Sequence, residues 1–155
     1  MRPVQSWLDE YGESHHTRIN KSIHWVCVPL IMLAVIGLLW SIPAPRAWAV
    51  RSAFFNWGVL VAVVVLIYYY ALAWRLALGM TLVTAAMIFI VYGASLTLAW
   101  PWLVWAIVFV AAWIGQFVGH KIEGKKPSFF KDLLFLLIGP LWLLAFCYRR
   151  LSLGY

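Results

Sequence analysis

Four histidines stand at the two ends of an otherwise apolar chain, each beside other polar side chains. In the stretch "IGQFVGHKIEGKKP", residues 114–127, Gln116, His120, Glu123 and Pro127 are spaced by four, three and four. A continuous helix puts them on one face. Near the N-terminus, His16, Asn20 and His24 repeat at four residues, and Tyr11 and His15 form a second pair of the same spacing. His15 and His24 are nine apart, on opposite sides of a straight helix, and converge only if the chain bends between them, around "HTRIN". Imidazoles in this number suit a transition metal, and Gln116 and Glu123 flank His120 at the spacing that lets a hydrogen bond orient a ligating ring. The same residues also fit a blander role as a polar edge. In that reading Asn20 is the N-cap of a helix that follows, Glu123 balances Lys121 or Lys126, and Gly115 and Gly119 serve close helix packing. Cys27 and Cys147 have no spacing partner for a metal or redox motif and read as buried thiols.

The elements that must position these residues are membrane helices. Hydrophobic residues make up 65% of the chain and charged ones 11%, with eleven Trp and a mean hydropathy of +0.89. A soluble domain has an apolar share of roughly 45–50%, so the composition excludes that class. Positions 76–119 hold no Asp, Glu, Lys or Arg, room for two crossings of about 20 residues each, with Trp100-Pro101-Trp102 as the turn. The expected fold is all-α, a polytopic helical bundle forming one membrane domain over 1–155. Four main spans are expected at about 23–40, 55–74, 76–99 and 102–119, joined by an N-terminal segment 1–22 and a polar segment 120–132. A fifth short run, 133–148, is kinked or re-entrant because Gly139-Pro140 interrupts it. The first 20 residues carry no signal-peptide core, so the first span is expected to target the chain.

Charge placement gives an orientation. With a cytoplasmic N-terminus and four crossings, Arg2, Arg18, Lys21, Arg75, Lys121, Lys125, Lys126 and Lys131 fall on the inner side, against Arg46 and Arg51 on the outer. This is the positive-inside pattern, and it accounts for the net charge of +7 through topology and anionic lipid. No soluble basic domain exists to hold nucleic acid. An even number of crossings separates His24 from His120, so His15, His16, His24 and His120 all emerge on the cytoplasmic face. The small size points to a bacterial inner membrane, or the endoplasmic reticulum in a eukaryote.

Tyr11-x3-His15, Asn20-x3-His24-x4-Pro29, "WIGQFVGHKIEGKKPSFFKDL" and "LLIGPLWLL" occur in that order. Over roughly residues 7–40 and 113–145 this resembles the membrane family of 2-hydroxy fatty acid dioxygenases typified by the yeast phytosphingosine alpha-oxidation enzyme. The resemblance implies an Fe(2+) enzyme that shortens a 2-hydroxy long-chain fatty acid by one carbon with O2. It places His15, His24 and His120 on the family's histidines, His16 on a doubled histidine, and Asn20, Gln116 and Glu123 on accompanying polar positions. His15, His16, His24 and His120 are then the expected metal ligands, with Tyr11, Asn20, Gln116 and Glu123 as catalytic residues beside the metal, and Lys121, Lys125 or Arg18 to neutralise the substrate carboxylate. Iron rather than zinc follows from the resemblance, since spacing permits either. Two other classes fit parts of the pattern: a haem protein using His24 and His120 as axial ligands, and a non-enzymatic lipid-binding scaffold. Acyl length and oligomeric state are not set by the sequence.

Overall fold

The computed structural model describes residues 2–128 and 134–155, and among them the chain is helix and connecting loop with no strand. The helices are α1 (Val4–Gly12), α2 (Arg18–Ser41), α3 (Arg46–Ala49), α4 (Trp57–Thr97), α5 (Pro101–Glu123) and α6 (Phe135–Arg150). Three of them, α2, α4 and α5, with 24, 41 and 23 residues, are long and apolar enough to cross a membrane. Large apolar side chains cover their outer faces: Leu82 is 74% exposed and Ile67 64%. In water such a surface would be an aggregation liability; against lipid tails it is the expected solvent-facing composition.

α4 is two rods in one. Ala73 leaves helical geometry, with φ −160° and ψ 85°, and the chain folds back there. Tyr70 and Thr81 meet through their hydroxyls at 3.1 Å, although eleven residues of straight helix would set them about 16 Å apart. Phe54, just before the helix, packs on Tyr92 near its end at 5.1 Å between ring centroids. The two arms therefore run antiparallel, and the turn sits two residues before the break expected at Arg75. The carbonyl of Arg75 beside the kink accepts a hydrogen bond from the Tyr148 hydroxyl of α6 at 3.0 Å.

The remaining boundaries have local causes. Thr17 caps α2 by accepting the Asn20 amide at 3.3 Å, so the helix begins earlier than expected and Asn20 is inside it rather than its cap. Pro101 opens α5, where its missing N–H costs nothing. Gly124, at φ 74°, closes α5 in the left-handed conformation that glycine adopts without penalty. α6 runs through Pro140 without interruption, so the Gly139-Pro140 pair does not break the element as the sequence suggested. The Tyr69 hydroxyl donates to the Leu137 carbonyl at 2.7 Å in that turn. Residue 133 of the expected run, and Lys131, lie outside the described residues.

α2 and α5 form the most extensive helix pair, and α6 packs across α1 and the kink of α4. One buried cluster, including Leu8, Tyr69, Leu76, Ile138 and Leu141, lies at the kink end. A second, Ile36, Met87, Val91 and Trp105, lies at the other. A cavity of about 360 Å³ runs between them, walled by α2, α5, α6 and both arms of α4.

Candidate metal centre

The loop between α1 and α2 supplies the bend that His15 and His24 require. α1 stops at Gly12, α2 starts at Arg18, and His15 hangs from the connection. Its ring centroid is 4.2 Å from that of His24 and 5.0 Å from that of His120, with His24 and His120 4.9 Å apart. All three are buried. One nitrogen from each can be chosen so that all lie within 4.8 Å of one another.

The tautomers follow from the surroundings. Nδ1 of His15 faces the Tyr11 carbonyl at 2.6 Å, and Nδ1 of His24 faces the Asn20 carbonyl at 2.9 Å. A carbonyl only accepts, so each Nδ1 carries the proton. The backbone amide of Lys125 donates to the His120 carbonyl at 3.3 Å, which fixes the end of α5 that carries this ring. The opposite nitrogens, Nε2 of His15, Nε2 of His24 and Nδ1 of His120, are buried without any hydrogen-bond partner. A buried polar atom left unpaired costs about 1–3 kcal/mol, and three in one place is the arrangement that a metal ion resolves. Burial and the neighbouring His24 ring hold the His15 pKa down at about 3, so this ring is neutral and ready to ligate near pH 7.

Helix approach makes the cluster possible. A Cβ on Gly119 would land on Oδ1 of Asn20, and one on Gly115 would stand 2.7 Å from Sγ of Cys27. The two glycines let α5 press against α2 at the level of the histidines, as the small-residue spacing suggested.

The other expected residues fall into distinct places. Gln116 is buried and lines the cavity, one turn before His120 on α5. Tyr11 stacks on His15 at 4.3 Å and 15°; its hydroxyl lines the cavity with no partner among the described residues. Burial raises the Tyr11 pKa, which keeps the phenol a donor. Glu123 does not touch His120 through its carboxylate. It accepts from the backbone amides of His16 at 2.8 Å and Thr17 at 2.9 Å, from the Thr17 hydroxyl at 2.6 Å and from Nδ2 of Asn20 at 3.3 Å. It is an anion at the N-terminus of α2, where the helix dipole favours one. Asn20 completes the clamp by donating to the Ser14 carbonyl at 3.1 Å.

His16 is exposed and only its backbone enters this network. The stripe that grouped it with Asn20 and His24 assumed one helix, and His16 precedes the helix. Arg18 and Lys121 are exposed, and the Lys125 ammonium donates to the Glu13 carbonyl at 2.7 Å. Lys121 and Lys125 border an outer cleft that shares His120 with the main cavity; Arg18 lines neither.

Sequence reasoning missed Thr17, the Ser14–Ser128 hydroxyl pair at 2.6 Å that ties the loop after α5 to the loop carrying His15, and Trp142, whose ring lies 5.5 Å from His15. Thr17 alone carried a legible signal, a hydroxyl residue ahead of an apolar periodic run.

This geometry argues against two rival classes. A haem with His24 and His120 as axial ligands would need a macrocycle between rings that already meet edge to face at 4.9 Å and 88°. A passive scaffold leaves the three unpaired nitrogens without a purpose. Neither a search of curated proteins nor one of solved structures returns a match. The profile of a known family, by contrast, matches residues 1–151, almost the whole chain including every residue of the cluster, and the chain belongs to that family, the Mpo1-like proteins, described as 2-hydroxy-palmitic acid dioxygenase Mpo1-like.

Proposed function

We propose that the chain is an Fe(2+)-dependent dioxygenase that converts a 2-hydroxy long-chain fatty acid to the fatty acid one carbon shorter. The observation that carries the reading is the convergence of three unpaired, buried imidazole nitrogens, with the His24 and His120 rings lining an apolar cavity, in a chain whose family bears that description. The overall change balances as R–CH(OH)–COOH + O2 → R–COOH + CO2 + H2O, so no further reductant is needed.

His15, His24 and His120 would hold the ion, and their neutral nitrogen donors suit iron(II). The bound iron supplies the redox chemistry that lets O2 react with the C1–C2 bond. Everything else is done by the chain. The Tyr11 phenol and the Gln116 amide face the cavity beside the histidines and orient the substrate's hydroxyl and carboxylate by hydrogen bonds. Lys121 and Lys125 draw the carboxylate toward the cleft beside His120. Glu123 and Asn20 hold the loop that carries His15. The acyl tail lies in the cavity, which extends along α2 from His24 to Leu39, a depth of about 22 Å. One leaflet of a bilayer core is about 15 Å, so a long tail has room.

The fold-back at Ala73 supports reading α4 as two crossings, which gives four in all and leaves α6 as a short interfacial helix at the site end. Positive charge on that end supports a cytoplasmic site.

The test is metal analysis of anaerobically purified protein with 2-hydroxypalmitate turnover in the same sample. Near-stoichiometric iron and a C15 product are expected. Iron-free protein, or turnover that persists after complete chelation, would overturn the reading.

A further inference from the structure

Thr84 is a buried residue on the cavity wall whose hydroxyl has no hydrogen-bond partner among the described residues. It sits on the second arm of α4, is 5% exposed and lines the apolar cavity. Thr81, nearly one turn earlier, gives its hydroxyl to the Ala77 carbonyl at 2.8 Å, the usual resort of a helical threonine. Thr84 makes no such bond and has no partner among the described residues.

Its depth separates it from the metal centre. Thr84 lies between Met80 of the cluster at the kink end and Met87 of the cluster at the far end, and Met32 packs against both clusters. Met32 is eight residues beyond His24 on α2, so Thr84 lies about 12 Å from the histidines, near the middle of the groove. The wall there is apolar: Met32, Val35, Val65 and Phe109. A water in such a place needs two to four polar partners, and the Tyr69 hydroxyl of the same cavity already donates its proton to the Leu137 carbonyl.

We infer that Thr84 is a recognition point for an oxygen substituent in the middle of the acyl tail, so that the preferred substrate is a 2-hydroxy long-chain acid carrying a second hydroxyl or a keto group there. This deepens the dioxygenase reading and rests on it for the orientation of the tail. A saturated tail leaves the Thr84 hydroxyl unpaired, whereas a tail hydroxyl at the right depth pairs with it, and a site built this way discriminates through the cost of the missing partner.

The experiment uses the full chain in nanodiscs and a series of 2-hydroxypalmitates bearing a second hydroxyl at successive mid-tail carbons. Dissociation constants come from competition with a fluorescent fatty acid, and turnover is read separately. One member of the series should bind wild type roughly tenfold more tightly than 2-hydroxypalmitate. Thr84→Val, which keeps the side-chain shape, should abolish or reverse that ratio, and Thr84→Ser should restore it. No preferred position, or a preference that survives Thr84→Val, would overturn the inference. Preferential binding without turnover of any member would uphold the subsite and sink the dioxygenase reading instead.

Discussion

The rings of His15 and His24 stand 4.2 Å apart at 82°, although one belongs to a loop and the other to the second turn of the helix that follows. Each is fixed by a carbonyl four residues earlier, so both unpaired nitrogens are set before any ion arrives. Replacing His15, His24 or His120 singly by Ala should each remove most of the bound metal. His16→Ala should leave metal content within about twofold of wild type, since only the His16 backbone enters the network. Mass-spectrometric metal analysis checks all four, and equal loss in the His16 variant would show that the doubled histidine contributes a ligand after all.

Glu123→Gln should lower stability by about 1–3 kcal/mol. The amide keeps the size of the carboxylate but puts a donor where His16, Thr17 and Asn20 all donate. Thermal unfolding in detergent measures it, with the Asp9→Asn variant as an exposed control. No difference between the two would mean that the clamp is not what holds the His15 loop.

The pH dependence has a definite sign. His15 titrates near 6.5 when unfolded and at about 3 in the folded chain, through burial and the neighbouring His24 ring. The unfolded state therefore binds more protons between those values, and metal-free protein loses stability as pH falls from about 6.5 toward 3. The slope is at most about 1.4 kcal/mol per pH unit from this one group. His15→Gln should flatten that part of the curve. Denaturation midpoints of chelator-treated samples at pH 7, 5 and 4 decide it.

How much of this was legible beforehand depends on the kind of signal. His15, His24, His120 and Gln116 were visible because imidazoles and amides in an apolar chain have few innocent uses, and the bend that joins the first two was required by their nine-residue separation. His16 was grouped wrongly because helical periodicity says nothing about where a helix starts, and Thr17 starts it one residue later. Glu123 was read toward His120, three residues away on its own helix. Its real partners are over a hundred residues distant, which no spacing reveals. The sequence pointed to a break in α4 from Arg75, yet the turn comes at Ala73, within a run of helix-forming residues, because tertiary packing of Tyr69 and Tyr148 fixes it.

Gly119→Ala should cost both stability and metal, because its Cβ meets Asn20 and pushes α5 from α2 at the level of the cluster. Gly93→Ala, on α4 with nothing within 4 Å of its Cβ, should be neutral or stabilising by up to about 1 kcal/mol. Unfolding temperature and metal content of the two variants, measured together, separate close approach from a general intolerance of added bulk.

Ala62 is a small side chain on the cavity wall, one turn from Gly58 at the far end. Ala62→Phe should shorten the longest tail accepted, cutting kcat/KM for a C16 substrate at least tenfold while sparing C10. A uniform loss across chain lengths would indicate that the tail does not reach this depth.

The metal cluster joins the start of the chain to a residue that is synthesised late. His24 leaves the ribosome 96 residues ahead of His120, an interval of about 5–20 s at ordinary elongation rates, and both arms of α4 together with most of α5 are made in between. No ion can be captured by all three imidazoles until those helices have been inserted and packed. Metal loading by all three imidazoles would therefore be a checkpoint on completed assembly, and a chain arrested before α5 would display two histidines with nothing to close the ring.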